Sequence, residues 1–298
     1  MKNLKFITIG SDPEFFIQDE VGTPISSIII AEGTKKSPKY IGDGFYVLRD
    51  NLALEGNVPI ATNREDFINN IKHLKNYFNL KLEEYGCRLL LVGEVEFEEY
   101  IAHSEEGLEF GCSNVVYAWQ NRYFSSENIL DIATKPSPQL IDSNIRTAGF
   151  HIHIGYTIKN PHFMKEMYDT LVARLFDLFI VLPSLQIKRE EYRVLNYGLL
   201  GNYRSTSYGL ECRALSAFFT DDKYLGWIYD QVVKLFEYIN TLEIEDINRI
   251  LDISTYIDTT PEEVFSLLQK SIPDLNIKID NEILILQTEL KQYEEIYN

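Results

Sequence analysis

Apolar and polar residues alternate in four separate stretches of the chain, around residues 6–17, 50–57, 150–154 and 208–216. A period of two predicts a β-strand with one face in a core and the other facing out. In the first stretch Asp12 and Glu14 share a face, and Phe15 and Ile17 share the opposite one. Pro13 lies between the two acids and predicts an edge position or a bulge, because proline has no N–H to give a ladder. In the second, Asn51, Ala53, Glu55 and Asn57 line one face and Leu52 and Leu54 back it. In the third, His151 and His153 point away from Phe150, Ile152 and Ile154. In the fourth, Glu211 and Arg213 stand in front of Leu210, Cys212 and Ala214. The same design recurs four times: polar chemistry before apolar packing.

Other segments change period to that of a helix. Thr62 and Glu65 have capping-box spacing, and Phe67, Ile71, Leu74, Phe78 and Leu82 make one stripe closed by Gly86. Residues 87–95 read as a strand. Residues 100–145 are rich in loops, with Lys135-Pro136-Ser137-Pro138 as a surface loop. Asn160-Pro161 predicts an N-cap and first turn of a buried helix that runs to Pro183. Thr220-Asp221 predicts a cap for a helix with Leu225, Ile228, Val232 and Leu235. Thr260-Pro261-Glu262-Glu263 predicts another, and residues 281–297 a last. No regular crossover helices separate the strands, so a parallel sheet is disfavoured. The expected class is α+β, a mainly antiparallel sheet with helices on one face.

Composition narrows the function. The 298 residues carry a formal charge of −17, which argues against sequence-independent nucleic-acid binding. Residues 237–298 alone hold 14 acids and 4 bases, an acidic solvated surface. A polyanionic ligand would need metal ions and placed arginines against that field. The sequence shows neither an apolar run of membrane-span length nor a signal peptide at its start, and it has three cysteines without a CxxC pair. A reducing cytoplasmic setting is the expectation, with no membrane partner. Walker-type, GxGxxG and GxSxG patterns are lacking.

Two of the five histidines stand at 151 and 153, one half of a metal or phosphate site. Asp12, Glu14, Glu55 and Glu211 are the candidate carboxylates, and Arg213 offers a rigid fork for carboxylate or phosphate. The HxH pair with one Glu would also serve a hydrolase or a two-histidine-one-carboxylate iron enzyme. Glu94, Glu96, Glu98 and Glu99 read as a solvated face.

The order of these segments resembles a known family. It runs Gly10-Ser11-Asp12-Pro13-Glu14-Phe15, Gly33-Thr34-Lys35, Asp50-Asn51-x-Ala53-x-Glu55-x-Asn57-x-Pro59 and Phe110-Gly111-Cys112. Arg146-Thr147-Ala148-Gly149-x-His151-Ile152-His153-Ile154-Gly155, Tyr197-Gly198-x-x-Gly201-x-Tyr203-Arg204 and Tyr208-Gly209-x-Glu211-x-Arg213-x-Leu215-Ser216 complete it. The chain is similar here to the phage-type carboxylate–amine ligases of the glutamine synthetase and glutamate–cysteine ligase superfamily. The resemblance spans residues 6–220, implying a catalytic core at 1–220 and an acidic helical part at 221–298 packed on the same domain.

It implies a curved, mainly antiparallel sheet that binds ATP and Mg²⁺ or Mn²⁺. It also implies an acyl-phosphate route joining a small-molecule or peptide carboxylate to an amine, in the cytoplasm of a host if phage-encoded. By motif, Asp12, Glu14, Glu55, His151 and Glu211 become metal ligands. His151 also contacts phosphate, with His153 beside it. Arg204 and Arg213 hold the transferred phosphoryl group or the substrate carboxylate, and Lys35 is a phosphate or substrate contact. Ser113-Asn114-Val115-Val116, Ser205-Thr206-Ser207, Phe150 and Cys212 depart from the family pattern, mostly at substrate-facing positions. A non-catalytic nucleotide-binding relative is the further alternative.

Overall fold

The computed structural model describes residues 4–30, 33–109, 116–119, 142–159, 162–253, 263, 264 and 266. The Phe110-Gly111-Cys112 motif, the 135–138 loop, the Asn160-Pro161 cap, most of the Thr260 cap and the 281–297 helix lie outside them.

The strands are β1 (Leu4–Gln18), β2 (Pro24–Ile25), β3 (Lys39–Gly42), β4 (Phe45–Asp50), β5 (Ala53–Asn57) and β6 (Arg88–Leu90). They continue with β7 (Glu94–Glu96), β8 (Val116–Tyr117), β9 (Ile145–Thr147), β10 (Phe150–Ile158), β11 (Asn202–Ser205) and β12 (Gly209–Cys212). Ten form one sheet in the order β3-β4-β5-β1-β10-β12-β11-β8, with β2 and β6 added to the end of β1, and β7 and β9 form a separate ribbon. Among the described residues every strand pair is antiparallel. Helices α1 (Arg64–Glu83) and α2 (Glu99–Ala102) precede α3 (Lys165–Phe176), a π-helical turn (Asp177–Val181), α4 (Leu182–Ile187) and α5 (Glu191–Asn196). Helices α6 (Asp222–Ile239) and α7 (Ile244–Asp252) follow. The α+β class expected from the alternation is the one observed.

The apolar faces build the core as the period of two requires. Ile9, Phe150, Ile152, Ile154, Leu210 and Cys212 pack with α3 and α6, while Phe15, Ile17, Phe45, Val47 and Leu54 pack with Leu74, Phe78 and Leu82 of α1. The predicted stripe of α1 is buried at all five positions. Its cap is Asn63, whose side chain accepts from Asp66 N–H, rather than the Thr62–Glu65 pair. The strand expected over 87–95 is broken into β6 and β7.

Three expectations are corrected. Pro13 is neither on an edge nor at a bulge: β1 lies inside the sheet, and its bulge falls between Phe6 and Thr8. Pro13 is tolerated because β1 changes partners there, pairing with β10 up to Pro13 and with β5 from Glu14. Residues 50–57 are not one strand. Asn51 has φ 56° and turns the chain between β4 and β5, so Asp50 faces Ala53 across a hairpin. Its side-chain amide leaves the polar face and donates to the Gly107 carbonyl at 2.8 Å. Finally, the buried helix starts at Lys165 with Met164 as N-cap, and it does not end at Pro183. The π turn shifts the hydrogen-bond register just before the proline. The resulting stretch Lys165–Ile187 is long and apolar enough to cross a membrane, contrary to the sequence reading, yet 83% of its most apolar window is buried in the fold.

Candidate functional site

The polar faces of β1, β4, β5, β10, β11 and β12 meet on the side of the sheet away from α1, α3 and α6. Register decides who meets whom. Glu14 pairs with Glu55, Asp12 with His151, His153 with Glu211, and Arg204 with Glu211. All nine residues singled out in the sequence lie on this face or at its margin, and they sort into three groups.

The first group is acidic. Glu14, Asp50 and Glu55 each place a carboxylate oxygen within 4.8 Å of the others. Burial pushes the Glu14 carboxyl up to about 7, helped by the charge of Asp50 and opposed by the Gly149 N–H. Burial, then Asp50 and Glu14, holds Glu55 well above the ordinary carboxylate range. Glu14 is fixed on both sides: its N–H donates to the Gly149 carbonyl at 2.9 Å, and its Oε2 accepts from Gly149 N–H at 2.5 Å. Lys35 Nζ is 2.6 Å from Asp50 Oδ2. Burial lowers the Lys35 ammonium, but Asp50 outweighs this and raises it.

The second group is a carboxylate between two arginines. Glu211 Oε2 is 3.0 Å from Arg204 Nη1, and Glu211 Oε1 pairs with Arg213 Nη1. His151 bridges this group to the first, with Nδ1 3.7 Å from Glu211 Oε1 and Nε2 3.8 Å from Glu14 Oε1. Ser11 Oγ donates to the His151 carbonyl at 2.7 Å and fixes its backbone. Burial, then Arg213 and Arg193, holds the His151 imidazole well below its ordinary range, so it is neutral at pH 7.

The third group is a file of side chains. Asp12 Oδ2 is 2.9 Å from His153 Nε2, and His153 Nδ1 is 2.6 Å from the Tyr208 hydroxyl. Burial would raise Asp12, but His153 overcomes it and holds the carboxyl below its usual range; Asp12 in turn holds His153 up. The expected metal set of Asp12, Glu14, Glu55, His151 and Glu211 is therefore divided. Glu14 and Glu55 stand with Asp50, whereas Asp12 is engaged by a histidine and Glu211 by arginines. Beside the file lies a cavity of about 210 Å³, lined by Gly10, Asp12, Val58, Ile60, His153, Gly155 and Tyr208. Gly155 is directly opposite Gly209, and Thr8 Oγ1 fills the place that a Cβ on Gly155 would take.

Four further residues bear on the site. Asp50 completes the acidic triad; reading 50–57 as one strand hid the hairpin that turns it back onto Glu55. Arg193 is buried, and its Nη2 donates to the carbonyls of Arg213 and Leu215 at 3.1 and 2.9 Å. A Cβ on Gly149 would come within 2.7 Å of His151 Nε2 and 3.1 Å of Arg193 Nη2, so glycine is what lets these groups close up. Glu94 is not a solvated acid, since its carboxylate accepts the Arg193 N–H at 2.9 Å. Asn51 was the one available signal, an asparagine suited to the left-handed turn between two alternating stretches. Nothing local to Arg193 or Glu94 pairs the two.

The donor set of the triad is all carboxylate oxygen, the kind preferred by Mg²⁺, Mn²⁺ or Ca²⁺ over thiolate-loving metals. Oxygens about 2.0–2.2 Å from one ion lie at most about 4.4 Å apart, so small side-chain movements suffice. The three residues fit a hard divalent cation.

No protein-family model matches the chain, and no curated protein matches it. Two solved structures are similar at low identity. A novel glutamine synthase homolog aligns at 12% identity over 99% of this chain and 67% of its own, with a TM-score of 0.41. GmaS in complex with ADP aligns at 11% identity over 99% of this chain and 71% of its own, with a TM-score of 0.41.

Proposed function

We propose that the chain is an ATP- and Mg²⁺-dependent ligase that joins a carboxylate to an amine. The observation that carries this reading is the juxtaposition of the Glu14–Asp50–Glu55 triad and the Glu211–Arg204–Arg213 cluster, bridged by neutral His151. Phosphoryl transfer needs positioning and charge neutralisation more than covalent help, and this face offers both signs of charge side by side. The ordered motifs from Asp12 to Arg213 support the same reading.

The division of labour follows from the groups. A divalent cation held by Glu14, Asp50 and Glu55 would supply charge neutralisation for the ATP phosphates. Arg213 and Arg204 present guanidinium forks toward the same face, suited to phosphate oxygens or the substrate carboxylate. Neutral His151 offers a ring nitrogen without adding charge. The cavity of about 210 Å³ has room for a planar ring, and its place beside the phosphate-facing groups suits the nucleotide base. In the reaction, a substrate carboxylate oxygen attacks the γ-phosphorus and ADP leaves. The amine nitrogen then attacks the acyl carbon, phosphate leaves, and the nitrogen gives up its proton to form the amide.

The test is ADP release from Mg·ATP across pools of carboxylates and amines, with the amide identified by mass spectrometry. Turnover requiring both substrates, reduced at least ~10²-fold in Arg213→Ala, is the expected result. Amide formation without ATP, or ATP hydrolysis that no acid or amine stimulates, would overturn it.

A further inference from the structure

Lys35 is ion-paired with the acidic triad through Asp50, and a specific local backbone brings it there. Gly33 lies so close to β4 that an added Cβ would stand 2.5 Å from the Val47 carbonyl oxygen and 2.8 Å from the Lys39 nitrogen. Its own carbonyl accepts the Arg49 N–H at 3.2 Å. The chain then turns tightly, with Thr34 and Ser37 exchanging hydrogen bonds at 3.1 and 3.0 Å. Thr34 also forms a parallel bridge with Arg49, next to Asp50. The turn thus carries Lys35 to the rim of the triad, where Nζ reaches Asp50 Oδ2 at 2.6 Å. The stem remains accessible, with the side chain 42% exposed.

Three crowded carboxylates need a counter-charge, and one ammonium answers only part of it. A divalent ion on the same oxygens would answer more, and it would repel an ammonium hydrogen-bonded to one of them. We infer that Lys35 is an internal stand-in cation: it neutralises the triad when no metal is bound, and metal binding displaces it toward the open face. This rests on reading the triad as a divalent-cation site. It makes Lys35 a competitor of the metal rather than a helper, and a group freed for an anionic partner only once the metal has arrived.

The experiment uses the full chain and Mn²⁺ alone as the probe. Calorimetry and Mn²⁺ electron spin resonance give the affinity of wild type, Lys35→Met and Lys35→Arg. Displacement predicts that Lys35→Met binds Mn²⁺ about 10-fold more tightly or better, while Lys35→Arg stays near wild type. Acetylation of Lys35 by a limiting acylating reagent, read by mass spectrometry, should speed up severalfold on adding Mn²⁺, with other lysines as internal controls. Equal or weaker Mn²⁺ binding in Lys35→Met would overturn the proposal, as would Lys35 acetylation that Mn²⁺ leaves unchanged or slows. Failure of every variant, wild type included, to bind Mn²⁺ would instead remove the cation site itself. Binding with no effect of Lys35 removes only the role of the lysine.

Discussion

His153 Nε2 stands 2.9 Å from Asp12 Oδ2, and this contact takes Asp12 out of the acidic triad two residues further along the same strand. The two acids of the Asp12-Pro13-Glu14 segment thus have different partners. Asp12→Asn should leave Mn²⁺ affinity within about 3-fold of wild type and cost about 1–2 kcal/mol of stability through the lost charged contact. Calorimetric Mn²⁺ titration beside a denaturation curve checks both, and a large loss of Mn²⁺ binding would return Asp12 to the ligand set.

Glu55 presents the opposite case. Burial and three neighbouring carboxylates, Asp50, Glu14 and Asp12, hold its pKa well above the ordinary range, so its charge is costly in the metal-free fold. Glu55→Gln should raise stability without metal by about 1 kcal/mol, roughly 2–4 °C in melting temperature. The same change should weaken Mn²⁺ binding at least ~10-fold through loss of a charged oxygen ligand. Scanning calorimetry with and without Mn²⁺ reads both, and a destabilised, metal-indifferent variant would contradict the assignment.

Arg193 reaches two carbonyls of the segment after β12 with a single guanidinium nitrogen. Lysine's shorter, non-planar head fits that place less well, so Arg193→Lys should loosen the backbone that carries Arg213 and lose about 1–2 kcal/mol. Turnover should fall more than Mn²⁺ affinity, since the carbonyls that Arg193 holds belong to the segment that carries Arg213. Paired kinetics and metal titrations separate the two effects.

Asp177 predicts a pH dependence of stability away from the site. Its carboxylate accepts from Trp119 Nε1 at 2.6 Å, and burial pushes its pKa up to about 8 against that bond. The folded state therefore keeps a proton that the unfolded state has already lost. Stability contributed by this residue is largest at acid pH and declines as pH rises from about 4 to about 8. Asp177→Asn should flatten the slope of unfolding free energy across that window, measured by denaturant titration at several pH values. An unchanged slope would show that the carboxyl ionises normally in the fold.

Much of the site was legible because it uses period-two strands. Phe150, Ile152 and Ile154 announce the face they bury, and so the face on which His151 and His153 stand. Glu211 and Arg213 are legible in the same way, and Phe67 to Leu82 in the period of a helix. What stayed hidden depends on register or on distant chain. Asp50 joins Glu55 only because Asn51 takes a left-handed turn, and no alternation reveals that. Arg193 comes from a short helix far along the chain from Glu14 and His151. Pro13 and Pro183 misled for a shared reason: local rules assume an uninterrupted ladder, and each proline lies where the ladder changes register or partner.

The change of partners at Pro13 divides the face into two banks. The acidic bank hangs on β4, β5 and the far end of β1, and the basic bank on β10, β11 and β12. The three-residue stretch from Asp12 to Glu14 is the spine on which both are mounted. A change in splay at that spine alters the gap between opposite charges while leaving each bank intact. The gap between the banks is thereby set by the backbone from Asp12 to Glu14, and the chemistry of each bank by its own strands.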